Sequence, residues 1–223
     1  MISNTFEKKL ILVGGNSSVV PTIISKKENH QNYSNVYLLC HRKYNGVKIK
    51  SELIENIDPL FIIKLFNDIL SLETKEKIFD VLISNTPTKN LNLKNNTTLE
   101  WSLSSIKLMN YLFSSERVNR VIFLGSVISF VPFYKNGLYK SIKKIEFYCF
   151  YELGYFKSNK MAFCILPPLR PGVNGLGMLF SQSKEKWAQR IIKEFYTNKS
   201  IIMPSKLIGI ILKIILLTKN IKT

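Results

Sequence analysis

Residues 10–20 read Leu10-Ile11-Leu12-Val13-Gly14-Gly15-Asn16-Ser17-Ser18-Val19-Val20. Four apolar residues in a row, stopped by a glycine pair and a polar triplet, describe a short buried strand that turns into a helix. A glycine turn in that place gathers backbone N–H groups and the positive end of a helix at one spot, an arrangement that holds phosphate. An ordinary strand–helix turn has the same composition. The stretch therefore decides the local structure and leaves its use open.

Working outward, four more apolar runs read as buried strands: Val36 to Cys40, Val81 to Ser84, Arg120 to Gly125 and Met161 to Leu166. Their near-continuous hydrophobicity suits a parallel sheet covered on both faces. Helical segments lie between them. Ser17 to Lys27 is one, with Pro21 tolerable near its first turn. Asp58-Pro59 pairs an N-cap with a proline at the first helical position and opens a helix to about Leu72. Thr97 to Ser115 and Tyr139 to about Leu153 are two longer ones. This alternation predicts an α/β fold with a doubly wound parallel sheet, a Rossmann-like three-layer sandwich formed by residues 1–223 as one domain. Such sheets bind ligands outside the carboxyl ends of their strands.

Composition agrees with that class and excludes others. At 223 residues with 46% hydrophobic content, the chain can bury a single large core and is not dominated by disorder. The formal charge is +17, but only five of the 32 cations are arginine, and the lysines run along the whole length. Scattered lysine forms no basic arm, so nucleic acid is not an expected partner. Three cysteines, Cys40, Cys149 and Cys164, are too few and too far apart for a disulfide framework or a zinc site. With two histidines, a His-built metal centre is not expected either. The polar start, Met1 to Lys9, resembles no signal peptide, and a cytoplasmic location is expected. An apolar stretch from Leu207 to Leu217, within an apolar and basic C-terminal helix over 205–223, is too short to span a bilayer. Packing in the fold or in a homo-oligomer is the expected role of that helix, with peripheral membrane contact as the alternative.

The strand ends carry the chemistry. After the second strand the chain reads His41-Arg42-Lys43, with no acid to meet a ribose 2′-OH. Cations there suit a 2′-phosphate, which favours NADP over NAD if a dinucleotide binds. The strand that opens at Asp80 ends at Ser84-Asn85-Thr86-Pro87. Another ends at Gly125-Ser126, and Tyr139 and Lys143 follow on the next helix, one turn apart. Ten tyrosines and 27 lysines make about one Tyr-x-x-x-Lys expected by chance, and a second does occur at Tyr44 and Lys48. The conjunction is the signal: a strand-end serine, a tyrosine 13 residues later, and a lysine one turn on.

In these blocks the chain resembles the short-chain dehydrogenase/reductase family across roughly residues 8 to 205. Leu12 to Ser18 stands where that family has its glycine-rich loop. Asp58 stands at its adenine-contacting Asp, Ser84 to Pro87 at its Asn-Asn-Ala-Gly, and Pro167-Pro168 at its Pro-Gly. The resemblance implies catalytic roles for Ser126, Tyr139 and Lys143. It implies cofactor contacts from Gly14, Asn16, Ser17, Ser18, Val19, His41, Arg42, Asp58, Asn85, Thr86, Lys143 and Pro167. The chain departs from the pattern where Ser18 and Val20 replace the second and third loop glycines, and where Pro87 and Pro168 replace glycines beside the cofactor. Gly172 replaces a threonine, and the family's active-site Asn falls near Leu99, with Asn96 the nearest candidate.

What the resemblance implies is an NAD(P)-dependent oxidoreductase that interconverts an alcohol and a carbonyl, with no metal. A catalytically silent nucleotide-binding relative is the alternative, and a basic scaffold is a more distant one. Phe130-Val131-Pro132-Phe133-Tyr134 would wall an apolar substrate or belong to the core. Residues 172–186, with three glycines, read as a substrate flap.

Overall fold

The structure is a computed structural model. It describes residues 8–14, 19–26, 31–40, 49–53, 59–73, 78–84, 96–130, 137–166, 183–203 and 210. The elements in chain order are β1 (Lys8–Val13), α1 (Val19–Ser25), β2 (Asn35–Cys40), β3 (Ile49–Leu53), α2 (Pro59–Leu72), β4 (Ile78–Ile83) and α3 (Asn96–Ser114). β5 (Val118–Ser126), α4 (Gly137–Glu152), β6 (Met161–Leu166), α5 (Lys184–Glu194) and β7 (Ile201–Ile202) complete them.

The seven strands form one sheet in the order β3-β2-β1-β4-β5-β6-β7. Every pairing is parallel. Strand order therefore reverses at β1, which lies between β2 and β4: Leu10 faces Val36 on one side and Asp80 on the other. A crevice at the carboxyl ends of β1 and β4 is where such a sheet takes its ligand.

Alternation along each strand feeds two cores. From β1, Ile11 and Val13 join Ile62, Phe66, Leu108, Met109, Phe147 and Phe150 under α2, α3 and α4. Leu10 and Leu12 point the other way, to Val19, Ile23, Trp187, Ala188 and Ile191 of α1 and α5. Both faces are buried, so the strands read as unbroken apolar runs. The helices show the matching stripe. On α2, Ile62, Phe66 and Ile69 are buried while Lys64, Asn67 and Asp68 are exposed, the spacing of a one-sided amphipathic helix. α4 stops at Gly154, whose φ of 74° continues the chain in a left-handed turn, and its N–H bonds the Tyr151 carbonyl at 3.0 Å.

The expected strands and long helices recur with ends moved by a few residues at most. Three elements add to them. β3 is a sheet-edge strand, Ile-Lys-Ser-Glu-Leu, with too little apolar content to announce itself. β7 has two residues and depends on β6 for its existence. α5 overlaps the expected flap: Ser183 caps it by accepting a hydrogen bond from the Lys186 N–H at 3.2 Å, so residues 184–186 are its first turn. Its buried residues, Trp187, Ala188 and Ile191, lie beyond the glycine-rich segment that suggested mobility. The rest of the expected flap lies outside the described residues. So does the C-terminal run, apart from the exposed Ile210. Among the described residues no helix is long and apolar enough to cross a membrane.

Candidate active site

At the switch point the sheet grips the end of β1 from both sides. The Gly14 N–H donates to the Leu39 carbonyl at 2.9 Å, and the Ser84 N–H donates to the Val13 carbonyl at 2.8 Å. Gly14 has φ +100°, and a Cβ there would stand 2.0 Å from the Ser84 carbonyl oxygen. Conformation and space therefore both require glycine. Val19 opens α1 and is fully buried. Of the loop candidates, Gly14 and Val19 are thus framework residues at the crevice. Asn16, Ser17 and Ser18 lie outside the described residues.

Two strands along, β5 ends at Gly125-Ser126. A Cβ on Gly125 would meet the Phe163 ring at 2.2 Å, so the glycine makes room for an aromatic cluster. Phe163 packs on Phe147 with ring centres 5.3 Å apart and on Phe150 at 5.6 Å. That cluster ties β6 to α4 directly behind Ser126, which is half-buried and pairs in register with Leu166. Tyr139 stands in the first turn of α4 and Lys143 one turn further. The chain thus brings the strand-end serine and the two helix positions to the carboxyl edge of the sheet.

Lys143 is almost fully buried, 3% exposed. Its ammonium donates to Glu146 Oε2 at 2.8 Å, and the Ser105 hydroxyl of α3 donates to Glu146 Oε1 at 2.9 Å. Ser105 and Glu146 are each 3% exposed. The lysine was legible from its spacing; the glutamate and serine that attend it were not named from the sequence. A Glu three residues after the Lys, on the same helix face, was the available signal.

The remaining candidates, His41, Arg42, Asp58, Asn85, Thr86 and Pro167, lie outside the described residues, as do Tyr44 and Lys48. Asn96 opens α3. Phe130 packs edge-on against Phe147, ring centres 5.0 Å apart, and so contributes to the core as well as to the edge. A cavity of about 620 Å³ lies at the opposite, amino-terminal edge, between Lys8, Arg120, Lys160 and Tyr196. Two of its cations, Arg120 and Lys160, are engaged in holding the chain. Arg120 donates to the Lys199 carbonyl at 2.5 Å and to that of Asn159. Lys160 donates to the carbonyls of Phe113, at 2.7 Å, and Ser115, at 2.5 Å. Among the described residues no cluster of His, Cys, Asp and Glu could hold a metal.

No protein-family model matches the sequence, and no curated protein is significantly similar to it. Solved structures are similar in shape. A short-chain dehydrogenase from Streptomyces avermitilis superposes with a TM-score of 0.66 at 12% identity, over 96% of this chain and 95% of that one. The fold is that of the short-chain dehydrogenase/reductases. ElxO with NADP bound gives 0.64 at 10% identity, over 88% of this chain and 96% of its own. The FabI–NADH complex from Alistipes finegoldii gives 0.63 at 12%, over 87% and 85%. At such identities the likeness establishes the fold, and it spans nearly the whole of both chains.

Proposed function

We propose that the chain is an NAD(P)-dependent oxidoreductase that interconverts an alcohol and a carbonyl, with Ser126, Tyr139 and Lys143 as its catalytic residues. One observation carries the reading: a fold whose solved examples include NADP and NADH complexes has a serine ending β5, then a tyrosine and a buried lysine one turn apart opening α4.

The Gly14 turn lies at the carboxyl ends of β1 and β4, where a sheet of this order takes its ligand. Gly14 and Val19, with Asn16, Ser17 and Ser18 between them, would hold the pyrophosphate. Asp58, Asn85, Thr86 and Pro167 would hold the adenine and nicotinamide halves, and Lys143 the ribose. When bound, the nicotinamide supplies or accepts the hydride. The chain's own residues handle the proton. In reduction, Tyr139 gives its phenolic proton to the carbonyl oxygen as charge develops there. In oxidation, its phenolate takes the proton from the alcohol. A free phenol ionises near pH 10, too high for a base at neutrality, and the Lys143 ammonium favours the phenolate. Ser126 hydrogen-bonds the substrate oxygen and keeps it in line with Tyr139.

His41 and Arg42, with no acid beside them, support NADP over NAD, since a 2′-phosphate needs cations. A homo-oligomer is the proposed assembly: α3 leaves Leu103 and Phe113 exposed. Free thiols at Cys149 and Cys164 agree with the proposed cytoplasmic location.

Replacing Tyr139 by Phe tests the catalytic assignment, on a carbonyl found by screening for NADPH consumption. Single-turnover hydride transfer should fall by about 10²-fold or more, with NADPH affinity kept. Tyr44→Phe should change nothing. A Tyr139→Phe protein at the wild-type rate would remove the assignment.

A further inference from the structure

We infer that Glu146, held in place by Ser105, is the positioning residue for the Lys143 ammonium. The inference rests on the reading of Lys143 as the lysine that holds the cofactor ribose and acts on Tyr139.

Burying an ammonium to 3% exposure takes it out of water, and a hydrogen-bonded acceptor offsets that cost. Glu146 supplies the acceptor at 2.8 Å from the next turn of the same helix. A carboxylate on a helix could still take several rotamers. The Ser105 hydroxyl, reaching across from α3, fixes one of them through its 2.9 Å bond to the second oxygen. Each carboxylate oxygen has its own donor, and the three groups run Ser105 to Glu146 to Lys143 in a single chain. Such chains polarise in a low-dielectric interior, where each bond strengthens its neighbour.

Three positions on α4 then follow one stripe: Tyr139, Lys143 and Glu146 at i, i+4 and i+7. Glu146 lies one turn further along α4 from the strand carboxyl edge than Lys143. One of the three ammonium protons is committed to this bond. The carboxylate thereby fixes one of the directions in which the ammonium donates. Packing alone does not demand an ion pair here: Ile142, Phe147 and Phe150 bury the same face of α4 with apolar side chains. Apolar pairs of similar volume commonly stabilise such sites as well or better.

A double-mutant cycle tests the inference by NADPH affinity, read calorimetrically, beside thermal melts without cofactor. Glu146→Gln keeps the shape and removes the charge. It should weaken NADPH binding about tenfold, the scale of one charge-assisted hydrogen bond. Lys143→Ala should weaken it at least as much. The Lys143→Ala/Glu146→Gln pair should bind no more weakly than Lys143→Ala alone, because Glu146 acts only through the lysine. The pair should also melt above Lys143→Ala, since no unpaired carboxylate remains. Ser105→Ala leaves both charges, guards against a Glu146 variant that does not fold, and should weaken binding by a smaller factor. Unchanged NADPH affinity in both Glu146→Gln and Ser105→Ala, or additive losses in the double variant, would overturn the inference and leave a stabilising ion pair only. Wild-type protein that binds no NADPH would overturn the functional reading itself, and the positioning role with it.

Discussion

Asp80 is a buried carboxyl group whose titration links pH to the stability of this fold. It is fully buried on β4, and its carboxylate accepts from the Tyr33 hydroxyl at 2.9 Å and from Asn119 Nδ2 at 2.7 Å. Burial raises its pKa above 3.8, outweighing the hydrogen bonds from Asn119 and Tyr33 and the charges of Lys8 and Arg120. The native state therefore holds this proton more tightly than the unfolded chain does. Its contribution to stability is complete below pH 3.8 and is lost as pH rises from there through the raised native value. Asp80→Asn cannot titrate. Relative to that variant, the wild type should lose stability across this window and then level off, as measured by urea unfolding at a series of pH values. A wild type that gains stability relative to the variant as pH rises would contradict the assignment. Legibility at this scale followed chemistry that is local in sequence. Gly14 announced itself, because a glycine stopping an apolar run signals a turn. Lys143 announced itself through Tyr139 one turn away. Asp80 opened a segment singled out for its polar far end, yet its partners come from residues 33 and 119, and Ser105 lies on a different helix from Glu146. No spacing rule reaches that far.

α5 shows what an element needs in order to be read. Its polar start, Ser183-Lys184-Glu185-Lys186, follows a glycine-rich stretch and looks like more of the same. The buried stripe begins only at Trp187, which has no exposure and packs with α1 residues Val19, Val20 and Ile23. By contrast, Pro59 announced the start of α2 in the sequence, because a proline at the first helical position is a signal that α5 lacks. Trp187 is the anchor of α5, with the Arg190 guanidinium 4.8 Å from its ring centre. Its indole N–H is buried with no hydrogen-bond partner among the described residues. The ring thus holds the helix by apolar packing. Trp187→Ala should cost about 3–5 kcal/mol in denaturant unfolding. Trp187→Phe should cost well under half of that, since it gives up an unsatisfied donor together with part of the ring. Equal losses in the two variants would show that the N–H matters more than the packing.

For the molecule as a whole, the sheet order places the candidate site at one edge and structural ties at the other. β1 and β4 meet at Gly14 and Ser84, and β5 delivers Ser126 to the same carboxyl edge, where α4 begins. At the amino edge, Arg120 and Lys160 bind backbone carbonyls and hold the loops around β5 and β6. The alternation of strands and helices made this architecture readable, while the strand order itself is a property of three dimensions that the pattern only implied. The net charge of +17 adds a competing explanation for any anion that binds. Surface attraction of that kind is screened by salt, with a Debye length near 3 Å at 1 M, whereas a dinucleotide seated in a crevice depends on it far less. The proposed ligand of this edge is a nicotinamide dinucleotide. Calorimetric titration with NADPH, NADH and inorganic tripolyphosphate, in dilute and in about 0.5 M salt, tests it most directly. Saturable binding of one NADPH per chain is expected, several-fold tighter than NADH and retained in high salt. Absence of saturable NADPH binding, or heat that tripolyphosphate reproduces and salt abolishes, would contradict it.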